Sequence, residues 1–177
     1  MADVDKFVIK CHASPQVFID GSSDAVGKFT THEDSGNKGG TITILGTEAS
    51  GTARWWYQAS RQITPADTDI FHTGQTYTDG TAIDLSADIV MGIYIRHTGV
   101  DENGAATTQP IIYFSDSTGG NGSPGESMLK PGESVAFRCH TVGGGGQDNC
   151  LLSDFEAETH STGHAMIEVL AFVDDVA

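Results

Sequence analysis

Between Asp88 and Val142, apolar and polar side chains alternate with a period of two in the segments DIVMGIYIRH, PIIYFS and SVAFRCHTV. In the first segment Ile89, Met91, Ile93 and Ile95 fill the odd positions, while Asp88, Gly92 and Arg96 share the even side with Val90 and Tyr94. This pattern predicts a strand with one face in a core and part of the other covered, which is a central strand and not an edge. In the third segment Val135, Phe137 and Cys139 alternate with Arg138 and His140, just after Pro131-Gly132. That pair suits the middle of a type II turn, because proline presets φ and glycine accepts a positive φ. Three strands with two glycine-rich connections predict an antiparallel meander.

The same period recurs along the chain. KFVIKC, QVFID, VGKFTT and TITIL read as short strands in the N-terminal quarter, since β-branched and aromatic residues suit a pleated surface. Further on come ARWWYQASRQI, FHTGQTYT, the hairpin signal Asp79-Gly80 and TAIDL. NCLLSDFEAET and HAMIEVLAFV close the series, joined by HSTGH. In the last strand Ile167, Val169, Ala171 and Val173 face one way and Met166, Leu170 and Phe172 the other, interrupted by Glu168. A strand apolar on both faces belongs inside a sheet or in a subunit interface. No stretch carries a 3.6-residue apolar stripe, and 22 glycines cut the chain into short pieces. The expectation is an all-β protein, an antiparallel β-sandwich of jelly-roll type with long glycine-rich loops. At 177 residues it reads as one domain spanning 1–177, with segment 1–20 a candidate arm or swapped strand.

The aromatic triplet Trp55, Trp56 and Tyr57 is the first candidate for binding. Strand alternation sends Trp56 to one side and Trp55 with Tyr57 to the other. One side then fills the core, and the other is exposed or buried at a contact between subunits. The functional alternative is a stacking platform for a sugar or for a partner's apolar anchor. The plain structural one, a core tryptophan with covered neighbours, has the greater weight because aromatics dominate sheet cores.

Charge narrows the partners. Nine basic against 24 acidic side chains give a net charge of -15, which repels phosphates and anionic lipid. No nucleic acid and no membrane partner is expected, and the charge itself reads as a solubility device. MADVDKFVIK lacks the basic start and apolar run of a secretory signal or anchor, and no run approaches the roughly 18 residues that span a bilayer. Three cysteines, Cys11, Cys139 and Cys150, are too few and too odd in number for a disulfide framework. That usage fits a reducing cytoplasm, with a Cys139–Cys150 bridge across the GGGG loop left open.

Catalytic patterns are missing. The elbow G-x-S-x-G does not occur, nor do HExxH, a P-loop or a GxGxxG opening a helix. The acidic pairs Asp67/Asp69, Asp101/Glu102 and Glu156/Glu158 are what abundance alone produces on a solvated face. His160 and His164 flank the turn STG and are the weak metal candidates, with Cys139, His140 and Cys150 upstream. Zinc sites use cysteine pairs two to four residues apart, and Cys139 and Cys150 are farther apart than that. DENG at Asp101 and DSTGGNG at Asp116 lack the EF-hand order, so weak loop calcium is the most they suggest. The expectation is no cofactor, no metal and no catalytic residue.

The runs IVMGIYIRHTG, PIIYFS, LKPGESVAFR and AMIEVLAF, from Asp88 to Val173, resemble a pattern of small β-rich virion proteins of tailed bacteriophages. These are the capsid decoration, or cement, proteins and related head and tail modules. The resemblance implies a non-enzymatic protein, often a homotrimer, bound to the major capsid protein on the outside of the capsid and bridging neighbouring capsomers. It also implies synthesis in the host cytoplasm and residence in the virion. The N-terminal half, including RWWYQ, lies outside the resemblance. A carbohydrate- or receptor-binding module of a tail or fibre is the alternative, with Trp55 or Tyr57 as stacking residues.

Overall fold

In a computed structural model describing residues 6–10, 16–18, 25–28, 41–114, 127–139 and 150–176, the alternation becomes twelve strands, with no α-helix among the described residues. They are β1 (Lys6–Lys10), β2 (Gln16–Phe18), β3 (Ala25–Lys28), β4 (Thr41–Leu45), β5 (Thr52–Ile63), β6 (Thr68–Asp69), β7 (Ile89–His97), β8 (Ile111–Phe114), β9 (Ser127–Leu129), β10 (Ser134–Arg138), β11 (Glu156–Thr159) and β12 (Ala165–Asp175). Single 3-10 turns follow β4 and precede β11. The all-β expectation is therefore met. The loop tips Gly119–Gly125 and Gly143–Gly146, the Asp116 motif, His140 and Cys11 lie outside the described residues.

The chain divides into two compact units, one of Met1–Phe7 with Ile44–Ala177 and one of Val8–Thr43. In the smaller unit β2 and β3 form an antiparallel pair with a bulge between Val17 and Phe18. The larger unit holds two four-stranded antiparallel sheets, ordered β10-β7-β12-β5 and β6-β11-β8-β9. Their pairing is nested: β5 with β12, β6 with β11, β7 with β10 and β8 with β9, as in one long hairpin rolled over on itself. The expected meander of β7, β8 and β10 is not formed, because β7 and β8 lie in different sheets. The physical reason is β12. Apolar on both faces, it takes the place beside β7 that a meander would have left to β8.

One cluster of buried side chains draws on both sheets. Trp56, Val90, Ile93, Ile95, Val169, Ala171 and Val173 come from the first, and Ile111, Leu129 and Ala157 from the second. Phe71 and Phe155, from segments flanking β6 and β11, close the space between them. On β7 the simple alternation fails at one place: Val90, and not Met91, joins Ile93 and Ile95 in this cluster. A register shift opposite Met91, where Phe172 pairs with Gly92 but Val173 with Val90, inserts one extra residue. Such a bulge reverses which side chains face inward beyond it.

The turns follow their residues. Gly132, at φ 86°, and Gly80, at φ 90°, supply the positive φ that their turns need. Glu133 N–H closes the first onto the Lys130 carbonyl at 2.9 Å, and Tyr77 N–H closes the second onto Thr81 at 2.8 Å. Between Phe71 and Asp88, however, the two expected strands reduce to a single bridge, Thr76 to Ala82. Their polar groups are satisfied locally, as when Gln75 Oε1 accepts the His72 N–H at 2.9 Å.

Acidic side chains lock one end of the larger unit. Asp88 is fully buried, and its carboxylate accepts the Tyr77 hydroxyl at 2.5 Å, the Asp84 N–H at 2.7 Å and the Val176 N–H at 3.2 Å. Asp174 accepts the N–H groups of Ser50 and Gly51 and the Ser50 hydroxyl. Arg54 pairs with both Asp175 and Asp79. Asp88, Asp174 and Asp175 thus each meet donors whose absence would make burial costly.

Candidate functional site

The side of the first sheet turned away from the core carries the aromatic triplet's outward members. Cross-strand register builds it in rows. Trp55 stands beside Phe172, and Phe172 beside Gly92. The next row runs Tyr57, Leu170, Tyr94 and Ala136 across β5, β12, β7 and β10. Beyond it Glu168 stands beside Arg96, and Arg96 beside Ser134.

These rows differ in cover. Trp55 packs on Phe172, ring centres 4.6 Å apart, and on Phe7 at 5.8 Å. Gly92 leaves the room that Phe7 and Ile44 fill: a Cβ there would fall 2.6 Å from the Ile44 Cδ1 and 2.9 Å from the Phe7 Cδ1. The Tyr57 row has no such lid of described side chains. Tyr57 is 49% exposed, and Leu170, Tyr94 and Ala136 are half-buried. Trp56 faces the other way, 2% exposed, with its ring 4.6 Å from Phe71.

Glu168 organises the polar margin of this row. Its carboxylate accepts the Tyr57 hydroxyl at 3.0 Å and lies 3.5 Å from the Arg96 guanidinium. The hydrogen bond to Glu168, followed by partial desolvation, raises the Tyr57 pKa, so the phenol stays neutral. The outcome is a flat face with two tyrosines and a leucine held by the sheet and edged by an ion pair. Tyrosine gives large contact area at low entropic cost, which suits a protein-contact surface.

A second feature gathers polar groups where β12 begins. Asp101, Glu102, Thr107, Thr108, Gln109, Thr162, Gly163 and His164 line a cleft of about 390 Å³. The His164 Nδ1 lies 3.0 Å from Glu102 and 2.9 Å from the Gln62 amide. The neighbouring hydroxyls are engaged elsewhere: Ser161 donates to Gln109 Oε1 at 2.6 Å, and Thr107 to the His164 carbonyl at 3.4 Å. Neither hydroxyl therefore uses the His164 ring as its base. Asp101 Oδ1 accepts the N–H groups of Asn103 and Ala105, each at 2.9 Å, so this oxygen holds its own turn. His160 is exposed at the other end of the Ser161–Gly163 turn from His164, its N–H on the Pro110 carbonyl. Among the described residues no group of three or more His, Cys, Asp or Glu side chains is placed to hold a metal. An apolar hollow of about 370 Å³, lined by Thr107, Thr108, Pro110, Met128, Lys130 and Pro131, adjoins the cleft.

No family model matches the chain, nor does any curated protein or solved structure. No described helix is long and apolar enough to cross a membrane.

Sequence reasoning singled out Trp55, Trp56 and Tyr57, and the structure divides them among a covered row, the core and an open row. It did not single out Tyr94 or Leu170, which complete the open row. Their signal was available as the even side of β7 and the second apolar face of β12. It missed Gln62, Glu102 and Gln109 around His164 as well, because nothing in their spacing announces that β5, the loop after β7 and the turn before β12 converge.

Buried His97 on β7 is a structural histidine. Its Nδ1 accepts the Gly99 N–H at 3.0 Å, so the proton sits on Nε2 and is donated to the Gln109 carbonyl at 2.7 Å. Both ring nitrogens are thereby used in holding the β7 exit beside the cleft.

Proposed function

We propose that the protein is a non-enzymatic structural protein of a tailed-bacteriophage virion. In this reading it decorates the outer surface of the capsid as a homotrimer and bridges neighbouring subunits of the major capsid protein. The observation that carries the reading is the open row Tyr57, Leu170, Tyr94 and Ala136 on a four-stranded sheet. Aromatic side chains on a rigid support are the anchors that concentrate binding energy at protein interfaces. The nested strand order of β5–β12 supports a β-sandwich of jelly-roll type, an architecture that serves viral capsids and lectins alike. Because one fold hosts many functions, the weight rests on the surface and not on the strand order.

The mechanism follows from repetition. Each copy adds a modest buried interface between capsid subunits, and many such contacts on one shell sum into resistance to internal pressure. A net charge of -15 keeps neighbouring copies from sticking where no contact is built.

Purified protein mixed with capsids that lack it is expected to saturate discrete surface sites and to raise the temperature at which the particles break. The double variant Tyr57→Ala/Tyr94→Ala is expected to keep its melting temperature within a few degrees while binding weakens by about tenfold or more. Light scattering should give the mass of three chains. Uptake that never saturates, or a double variant that binds as well as the parent, sinks the reading.

The polar cleft at His164 favours a second reading, a carbohydrate- or receptor-binding module of a tail or fibre. Hydroxyl, amide and carboxylate groups beside an apolar hollow suit a ligand with both hydroxyl groups and an apolar face. Titration calorimetry against a panel of neutral and amino sugars separates the two: a saturable heat that Glu102→Gln removes supports the module, and no heat supports decoration.

A further inference from the structure

Cys139 and Cys150 stand on the same edge of β7. The Cys139 N–H donates to the Met91 carbonyl at 3.0 Å, continuing the β10 register in which Arg138 faces Gly92. The Cys150 carbonyl accepts the Val90 N–H at 2.8 Å, and Leu151 bridges Ile89. Cys139 and Cys150, with ten residues between them in the sequence, therefore occupy successive rungs of one ladder. Rungs advance about 3.4 Å each, and a disulfide bridges Cα atoms up to about 6.8 Å apart.

Successive residues of an unbroken strand would point to opposite faces. Here the bulge opposite Met91 intervenes, and both cysteines turn toward one core: Cys139 belongs to the buried cluster and Cys150 packs against it. In the structure no disulfide joins them.

We infer that Cys139 and Cys150 are a covalent cross-link site that closes into an intramolecular disulfide when the protein meets a low-molecular-weight disulfide such as oxidised glutathione. Cys150 is only partly buried, so its thiolate attacks first, displacing one glutathione thiolate and forming a mixed disulfide. Cys139 then attacks the Cys150 sulfur and displaces the second glutathione. The external disulfide is reduced to two thiols, taking up the two electrons and the two protons that the cysteines give up. The order is set by environment. The Cys150 side chain in hydrogen-bond contact, and then burial, push the Cys139 thiol above its ordinary range, leaving it a poor first nucleophile but a well-placed second. The bond would shorten the free chain of the unfolded state and so raise stability. It does not depend on the protein's being a capsid component.

The test uses the full chain, incubated with oxidised glutathione or with dithiothreitol. After oxidation the intact mass is expected to fall by two hydrogens, and peptide mapping to find Cys139 joined to Cys150. The melting temperature should rise by several degrees over the reduced protein. Cys11→Ser should retain both effects. Cys150→Ser, at the partly exposed position, should melt at the same temperature in either condition. A glutathione adduct that persists on Cys150, a bridge from Cys11, or a linked protein no more stable than the reduced one overturns the inference.

Discussion

Replacing Asp88 with alanine is expected to lower the unfolding free energy by about 3–5 kcal/mol, measured as a fall in the urea midpoint at unchanged slope. The carboxylate is fully buried and collects the Tyr77 hydroxyl and two backbone N–H groups, from Asp84 and Val176. Removing it leaves the buried Tyr77 hydroxyl and two part-buried N–H groups without their acceptor, each costing up to about 1–3 kcal/mol before the neighbourhood relaxes and water reaches the outer two. Asp88→Asn keeps one acceptor oxygen but turns an amide NH2 toward donors, and should fall between alanine and the parent. Tyr77→Phe removes one hydrogen bond from the same network and should cost about 1 kcal/mol. A loss below 1 kcal/mol in Asp88→Ala would mean that these bonds do not hold the end of the sheet.

The same network makes an alkaline prediction. Burial first, and then the hydrogen bond to Asp88, raise the Tyr77 pKa above its ordinary value of 10.0. A raised pKa stabilises the fold through the neutral phenol. That contribution is whole below pH 10, where the unfolded chain is also protonated, and is lost as pH climbs toward the higher folded value. Above pH 10 the parent should therefore lose stability more steeply than Tyr77→Phe, by up to about 1.4 kcal/mol per pH unit.

Trp56→Ala is expected to cost about 3–5 kcal/mol in the same measurement, the range for deleting a large buried aromatic. Trp56 is 2% exposed and packs at a tilt on Phe71, whose ring in turn meets Phe155 edge-on at 5.9 Å. These rings tie β5 to the segments flanking β6 and β11, so the vacated volume opens between the two sheets. Its neighbour Tyr57, half exposed on the opposite face, should change stability by no more than about 0.5 kcal/mol when replaced by alanine. Equal costs at the two positions would contradict the division of the triplet.

That division was legible in the sequence, because alternation alone separates Trp56 from Trp55 and Tyr57. The turns at Pro131-Gly132 and Asp79-Gly80 were legible too, since their glycines adopt the backbone angles that turn chemistry demands. Partner choice was not. The alternation of β7 shows that it has an inner face, but whether β8, β10 or β12 lies beside it depends on which strand can be buried on both sides. A single inserted residue at Met91 then exchanged Val90 for Met91 in the core, a change that a period-two reading cannot detect. The buried acids were hidden for a related reason. Asp88 and Asp174 look like charges ending apolar runs, and only the fold brings the distant donors of Tyr77, Ser50, Gly51 and Val176 to them. Of the candidate surface, Tyr57 was visible as one of three aromatics, whereas Tyr94 and Leu170 became its neighbours through cross-strand register.

The position of β12 carries a consequence for biogenesis. It lies between β5 and β7, hydrogen-bonded to both, yet is translated after each of them. While the ribosome is still making β8 to β11, those two strands wait, each with the edge that β12 will fill unpaired and with apolar faces in the crowded cell, a state prone to aggregation. The large acidic excess can act at that stage as well, keeping nascent copies apart until the keystone strand emerges.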